Sequence, residues 1–247
     1  MNQYLQIRSA AGATVSGEEI RAEIQTEAAQ KLAARKTLPE YPRVSRELAA
    51  QLDQRLDAVR QRLSITVACC AGCSYCCHGI VTAQAQEVFF AVDTMRQRLS
   101  AAALAGVIER AGARQLQLQA RKTAAEQAAY RTPCPLLSEG RCGVYEGRPL
   151  VCRAHHSMSV EPCRQWFENP HDAGYDDHQH EAVFVTGNSV REGANAAFEA
   201  AGFDRSIYDF GSALYEALTD PRCVRRWKDG KKAFSTTCLA RGAVPET

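Results

Sequence analysis

Apolar residues recur at steps of three and four residues along most of the chain, which places them on one face of an α-helix. The clearest stripe belongs to a helix that we expect to begin at Ser45, and similar stripes follow later. The three stripes are Leu48, Leu52, Leu56, Val59 and Leu63; Val88, Val92, Met95 and Leu99; and Ile207, Phe210, Leu214 and Leu218. Alternating strand patterns are almost absent, and the run from Ala182 to Thr186 is the best candidate. The sequence therefore predicts a mostly α fold.

Capping residues mark where the predicted helices begin. Ser16 and Glu19 fit a capping box, in which each side chain accepts a hydrogen bond from the other residue's backbone N–H, and they open a helix to about Arg35. Pro39 and Pro42 then interrupt the chain. Further starts are expected at Thr82, at Ser100 for a run to about Tyr130, and at Asp220–Pro221 for a short basic helix through Trp227.

The stretch from Pro133 to about His180 has no sustained period and contains many prolines, glycines, histidines and cysteines. We expect an ordered loop region there, and a loop region of this length needs something to organise it. The chain then divides into an N-terminal helical arm and helix at 1–66, a cysteine-cluster region at 67–167 and a C-terminal helical region at 168–247. We expect the three to pack on the same core as one domain overall.

Composition adds a chemical signal, because the 247 residues include eleven cysteines. A chain of this length buries enough surface to be stable without disulfides. The first residues lack the pattern of a secretory signal, so we expect a cytoplasmic protein, and clustered cysteines in a reducing compartment more often bind metal. No apolar run is long enough for a membrane span. A formal net charge of +2 argues against a nucleic-acid partner, although residues 225–232 are basic.

The densest cysteine feature is the block Cys70-x2-Cys73-x2-Cys76-Cys77. A two-residue spacer lets a turn aim two sulfurs at one ion, and both zinc knuckles and iron–sulfur clusters use it. Three cysteines in C-x2-C-x2-C order favour an iron–sulfur cluster, because zinc modules usually supply isolated pairs. A second group, spaced too widely for one knuckle, consists of Cys134, Cys142, Cys152 and Cys163.

Adjacent Cys76 and Cys77 cannot easily face the same way, because neighbouring side chains diverge by roughly 100° in a helix and 180° in a strand. The pair therefore serves two centres, or one of the two lies outside the direct ligands. We expect interleaving, in which each centre takes sulfurs from both cysteine groups, because that explains why one domain needs widely spaced ligands.

Other residues near the cysteines are also candidates for the metal site. Cys69, His78 and His155 are candidate ligands or neighbours of ligands. Glu146, Arg148 and Arg153 are expected to lie beside the ligands, where an arginine donates hydrogen bonds to sulfur and offsets the thiolate charge. A polar loop carries Asp176, Asp177, His178 and His180, where a solvated role competes with a hard-ligand site. Cys223 and Cys238, each alone in the sequence, are expected to be small buried side chains without a metal role.

These motifs together resemble the YkgJ-type cysteine-cluster family, a zinc- or iron-chelating domain. The resemblance rests on the C-x2-C-x2-CC block followed by His78, then CPLL, GxC, VYExRPLxCR at 144–153 and Cys163, over roughly 68–167. It implies metal ligation by about eight cysteines, which here are Cys70, Cys73, Cys76, Cys77, Cys134, Cys142, Cys152 and Cys163. The pattern is also similar to that of flagellin lysine methylases with an iron–sulfur centre.

The sequence leads to a metal-binding protein whose cysteines hold iron–sulfur clusters, favoured, or zinc, in a structural, redox or metal-handling role. A protein or redox partner stays open beside the metal ions. The first alternative is an enzyme, methyltransferase-like or an oxidoreductase, that uses the metal as a structural or catalytic centre. The second is a thiol switch that uses the vicinal pairs Cys69–Cys70 or Cys76–Cys77 without metal.

Overall fold

A computed structural model describes residues 6–8, 14–34, 41–172, 178–235, 237 and 239. Most of the described residues lie in helices, which confirms the mostly α fold. The α-helices among the described residues are α1 Gly17–Ala34, α2 Tyr41–Arg62, α3 Ala85–Arg98, α4 Ala101–Ala120, α5 Ala124–Ala128, α6 Leu150–Ala154, α7 Val160–Glu168, α8 Glu181–Ala200, α9 Phe210–Thr219 and α10 Cys223–Lys228. None of them is long and apolar enough to cross a membrane.

Short strands and turns complete the described chain. Three antiparallel pairs join β1 Gln6–Arg8 with β2 Thr14–Ser16, β3 Thr82–Ala83 with β6 Tyr208–Asp209, and β4 Leu137–Ser138 with β5 Arg141–Cys142. Within the described residues, 3-10 helices lie at Tyr75–His78 and Tyr145–Gly147. Because each of these pairs is only two or three residues long, the described strands form no layer of their own.

The capping residues are correct at two helix starts and wrong at a third. The Ser16 backbone N–H donates to Glu19 Oε2 at 2.6 Å and the Glu19 N–H donates to Ser16 Oγ at 3.1 Å, as expected for a capping box. Ser100 accepts from the Ala103 N–H at the start of α4. Thr82, however, pairs in β3, and Gln84 with Glu87 caps α3 two residues later.

Several predicted boundaries need correction. Helix α2 begins at Tyr41 rather than Ser45, because Pro42 falls in the first turn, where no intrahelical N–H is needed. The run after Ser100 stops at Ala120, and Thr123 caps the separate helix α5. At the C-terminal side, the Asp220 carboxylate accepts from the Arg222 N–H, and α10 begins one residue further on.

The run Ala182–Thr186 is helical, so its prediction as a strand was wrong. It is the first part of α8, whose buried residues continue at helical steps through Val190, Ala194 and Ala197. A five-residue window was too short to show that period. The expected loop at 133–180 also contains α6, α7 and the hairpin β4–β5.

One contiguous hydrophobic core joins helices from the beginning to the end of the described chain. Leu48, Leu52 and Leu56 of α2 are at most 1% exposed, and α3 and α8 cover them. Each such buried side chain contributes about 1.5–3 kcal/mol relative to an exposed one. Helix α1 packs along α8, and Gly193 of α8 allows the Arg21 carbonyl of α1 to approach closely.

A buried ion pair holds α4 to the start of α9. Arg114 donates to both carboxylate oxygens of Asp209 at 2.9 and 2.8 Å, and the two side chains are 2% and 0% exposed. Burial raises the pKa of Asp209, but Arg114 more than offsets this and the pKa lies below its ordinary value. The same guanidinium donates to the Gly79 and Thr132 carbonyls at 2.7 and 3.1 Å. The ion pair thus also fixes two segments that flank cysteines.

Candidate metal centre

The first cysteine block forms a tight turn and then a single 3-10 helix. The Cys73 N–H donates to the Cys70 carbonyl at 3.1 Å, and Gly72 between them has a φ of +95° that favours glycine. The Cys77 N–H donates to the Ser74 carbonyl at 3.0 Å. No side chain of the 3-10 helix Tyr75–His78 is fully buried, so apolar burial does little to hold this segment.

A short backbone ladder places Cys77 beside Cys134. The Thr132 N–H donates to the His78 carbonyl and the Cys134 N–H donates to the Cys77 carbonyl, both at 2.7 Å. Beyond Cys134, the hairpin β4–β5 returns the chain and pairs Leu137 with Cys142. Its turn residues Glu139 and Gly140 both have positive φ, as a two-residue hairpin turn requires. Cys77, Cys134 and Cys142 are thereby collected by backbone hydrogen bonds.

Two short helices carry the remaining cysteines of the second group. Cys152 lies in α6, whose first N–H, that of Leu150, donates to Glu87 of α3 at 2.8 Å. Cys163 lies in α7, which packs against the 3-10 helix Tyr75–His78. In that contact the Phe167 ring lies 4.8 Å from the His78 ring, and Trp166 covers Gly79.

Nine cysteines line one cavity of about 940 Å³. They are the eight cysteines proposed from the motif, Cys70, Cys73, Cys76, Cys77, Cys134, Cys142, Cys152 and Cys163, together with Cys69. Cys223 lies elsewhere, buried, with its Sγ 3.4 Å from the Glu216 carbonyl oxygen. Cys238 lies outside the described residues. None of the ten described cysteines is in a disulfide.

Electrostatic interactions connect the nine thiols in two sets that overlap at Cys76. Cys73 interacts with Cys70, Cys76 and Cys163, while Cys152 interacts with Cys134 and Cys142. We call Cys69, Cys70, Cys73, Cys76 and Cys163 the first thiol group, and Cys77, Cys134, Cys142 and Cys152 the second thiol group. A hydrogen bond between Cys76 and Cys77, and the interaction of Cys76 with Cys152, connect the groups.

Most of these thiols hold their protons in the absence of metal. Burial raises the pKa of Cys134 to about 11 and raises the pKa of Cys152 well above its ordinary value. Cys76 is different, because a hydrogen bond from the Cys77 thiol lowers its pKa to about 7. The same bond raises the pKa of Cys77. Metal binding at this cavity must therefore displace protons.

Arg148 lines the cavity and interacts with sulfurs of both groups. Its guanidinium stacks 3.8 Å from the Tyr145 ring and interacts electrostatically with Cys76, Cys142 and Cys152. The Nε atom is buried and has no hydrogen-bond acceptor within the described part of the chain. An arginine N–H in this position suits a metal-bound sulfur, which is a charged acceptor.

The other two residues expected beside the sulfurs have different main partners. Arg153 forms an ion pair with Asp53 of α2 and donates to the Glu146 carbonyl. The Glu146 carboxylate pairs with Arg98 at 3.2 Å, and both side chains are exposed. Arg153 and Glu146 interact with Cys142 electrostatically, but their hydrogen bonds serve the fold.

The histidines also differ in their partners, and only some of them line the cavity. The Nδ1 atom of His78 lies 2.9 Å from the Ser74 carbonyl oxygen and its ring packs on Phe167, whereas His155 and His156 line the cavity. Burial, with Arg60 and Arg148 nearby, lowers the pKa of His156 to about 4, and its buried Nδ1 has no partner among the described residues. His180 accepts from the Ala182 N–H at the start of α8. Asp176 and Asp177 lie outside the described residues, so the hard-ligand alternative is not placed.

Soft thiols are the donors that zinc and iron prefer, so the chemistry of this cavity fits either metal. Within the described residues, no three Cys, His, Asp or Glu side chains converge closely enough to hold a single ion. The sulfurs instead line the walls of the cavity. This is compatible with thiolate sites, which commonly assemble as the metal binds.

Sequence reasoning missed Arg114, Asp209 and Trp166, which position the cysteine segments. Arg114 lies in an alanine- and glutamine-rich helix, where nothing local distinguishes it from surface arginines. Trp166 had one signal, because it stands three residues after Cys163 and so lies on the same helical face.

The fold and the cavity define an α-helical protein with a thiol-rich metal-binding region. Residues 69–179, slightly less than half of the chain, match the CxxCxxCC family model, described as "Putative zinc- or iron-chelating domain". This match confirms the YkgJ-type family for that segment and supports a metal-binding role. No curated protein and no solved structure matches the chain.

Proposed function

We propose that the eight motif cysteines bind metal as iron–sulfur clusters, with zinc as the alternative, in a structural, redox or metal-handling role. The observation that carries the proposal is that thiols from four separate segments line one cavity. Iron is favoured by the C-x2-C-x2-C order and by the cavity volume of about 940 Å³, because a cluster contains inorganic sulfide as well as metal. A bound cluster would supply one-electron transfer, whereas zinc would supply structural support.

We infer two centres with interleaved ligands. The first thiol group combines Cys70, Cys73 and Cys76 with Cys163, and the second combines Cys77 with Cys134, Cys142 and Cys152. The ladder that joins Cys77 to Cys134 supports this partition. Each centre would then tie the first block to the later loops, and Arg148 between them would offset part of the thiolate charge.

Location and partners follow from the same chemistry. A reducing cytoplasm would keep these thiols available for metal. The Cys70 side chain is exposed, so a protein redox partner could approach the first thiol group from that side. We propose that the segments 1–66, 67–167 and 168–247 form one domain, since one apolar core runs through the described helices.

Metal analysis of anaerobically purified protein tests the function. We expect iron with acid-labile sulfide in similar amounts and a broad visible absorption band. Colourless protein with stoichiometric zinc would contradict the iron assignment, and folded protein without bound metal would contradict both. Cys134→Ser should lose the second centre, about half of the metal, while the matched Cys223→Ser variant, outside the cavity, keeps all of it.

The cavity volume also supports the enzyme alternative. About 940 Å³ lies within the usual range of small-molecule pockets, roughly 300–1,000 Å³, and Trp166, Tyr145 and Phe210 line it together with the thiols. An enzyme centre needs an open coordination position. X-ray absorption of the metal-loaded protein tests this, because nitrogen or oxygen in the coordination shell favours an open position and a shell of sulfur alone contradicts it.

A further inference from the structure

Cys69 precedes the C-x2-C-x2-CC block and lines the same cavity as its eight cysteines. Its position is fixed by the segment after α6. The Ala68 N–H donates to the Ser157 carbonyl at 2.9 Å, and the Ser157 N–H donates to Cys69 Sγ at 3.3 Å. Backbone N–H groups that donate to sulfur are typical of thiolate metal sites. Ser157 is 1% exposed, so this donor is shielded from water.

The surroundings of Cys69 are those of a member of the first thiol group. It interacts electrostatically with Cys73, Cys76 and Cys163, the three sulfurs that are expected to share one centre. Cys70, which the motif spacing assigns to that centre, is exposed and lies in the turn before Gly72. The group therefore has five sulfurs where a four-coordinate centre needs four.

We propose that Cys69 is a metal-binding thiol of the first group and that it exchanges with Cys70 as the fourth ligand. The inference rests on the proposed function, because it assumes that the first group holds metal. In the exchange, the Cys69 S–H bond breaks and a sulfur–metal bond forms, while Cys70 leaves the metal and takes up the proton. No electron is transferred, so the exchange needs no oxidant or reductant.

The exchange would give the proposed centre one replaceable ligand, the exposed Cys70. When Cys70 leaves, the centre keeps four sulfurs through Cys69, and Cys70 becomes a free exposed thiol next to the metal. Removal of either sulfur alone should then be tolerated, whereas removal of both should not.

The first test measures thiol protection in the full-length, metal-loaded protein under anaerobic conditions. Iodoacetamide labelling, resolved by mass spectrometry at each cysteine, is compared before and after metal removal with a chelator. We expect Cys69 and Cys70 each to label about twofold faster after metal removal, because each binds metal for part of the time, Cys73 and Cys163 to label about tenfold faster, and Cys223 to be unchanged. Equal labelling of Cys69 in both states, with Cys73 and Cys163 protected, overturns the inference. If Cys73 and Cys163 are also unprotected, the proposed function itself fails.

The second test separates ligation from simple proximity. Cys69→Ser and Cys70→Ser are compared with the double variant and with Cys223→Ser for bound metal and visible absorption. We expect each single variant to keep its metal and the double variant to lose the first centre, about half of the total. If Cys70→Ser alone loses as much metal as the double variant, Cys69 is not a ligand.

Discussion

The helical core and the cysteine region are held together by different forces. In α2, three leucines are almost fully buried, and α3 and α8 supply the apolar surface that covers them. The 3-10 helix that carries Cys76 and Cys77 has no fully buried side chain. Backbone ladders and α7 hold it instead. The core is therefore stabilised by apolar burial. The cysteine region is instead held by hydrogen bonds to the core and, we propose, by bound metal.

Two buried polar side chains of the core form hydrogen bonds to the cysteine region. Arg114, paired with Asp209, donates to the carbonyls of Gly79 and Thr132, and Glu87 accepts from the Leu150 N–H at the start of α6. Gly79 lies two residues after Cys77, and Thr132 lies two residues before Cys134. Loss of the ion pair should therefore also displace these two cysteines. Damage within the metal site should affect the core less.

Asp209→Asn is expected to have the largest effect. It removes the charge that Arg114 needs in a buried position, and an unpaired buried charge costs about 3–5 kcal/mol. Urea unfolding of the metal-free protein would measure this loss. Glu199→Gln, in an exposed pair with Arg205, is the control and should cost about 0.5 kcal/mol or less. A loss below about 1 kcal/mol for Asp209→Asn would show that the core does not depend on this pair.

Two glycine substitutions compare the rigidity of the regions directly. At Gly193, a Cβ atom would meet the Arg21 backbone oxygen, which cannot move without separating α1 from α8, so we expect Gly193→Ala to cost about 3 kcal/mol. At Gly79, a Cβ atom would lie 2.6 Å from the Trp166 ring, which can shift, so we expect about 1 kcal/mol. Thermal unfolding of both variants measures the two losses of stability. A larger loss for Gly79→Ala than for Gly193→Ala would show that the cysteine region is packed more rigidly than the helical core.

The stability of the cavity wall should depend on pH through His156. Its pKa is about 4 in the folded protein and ordinarily 6.5, so between these values the unfolded chain binds more protons. Stability is therefore present above pH 6.5 and is lost as the pH falls towards 4. Because the ring is only partly buried, we expect a loss of about 2 kcal/mol rather than the full shift.

His156→Gln isolates this effect, because acid also releases metal from thiolates in both proteins. Urea unfolding at several pH values should show a smaller loss between pH 6.5 and 4 for the variant than for the unmodified protein. Identical pH profiles would mean that His156 does not carry the dependence.

The smallest effect is expected at the outer face of α7. Arg164 pairs with Glu161 and Glu168, and all three side chains are about half exposed. Glu161→Gln should leave the free energy of unfolding and the amount of bound metal nearly unchanged, because exposed pairs contribute little. A loss of metal would show that the position of α7 depends on its surface charges.

The helices could be predicted where periodicity and capping chemistry agree. The Ser16–Glu19 capping box and the Ser100 cap are local, and the structure has both. Ala182–Thr186 was wrong because five apolar residues do not distinguish a strand from the start of a long helix. Helix α7 was not predicted because its nine residues lie among loops whose composition hides its period.

The amino-acid sequence by itself determined the helical class, the eight motif cysteines and the family of residues 69–179, because these depend on residue type and on short spacings. Only the tertiary structure decided which cysteines are neighbours, that Cys69 joins them, and that Arg148 rather than Arg153 faces both thiol groups. The reason is physical. Backbone ladders and a buried ion pair bring together residues that are far apart in the chain, and no local pattern of residues records those distances.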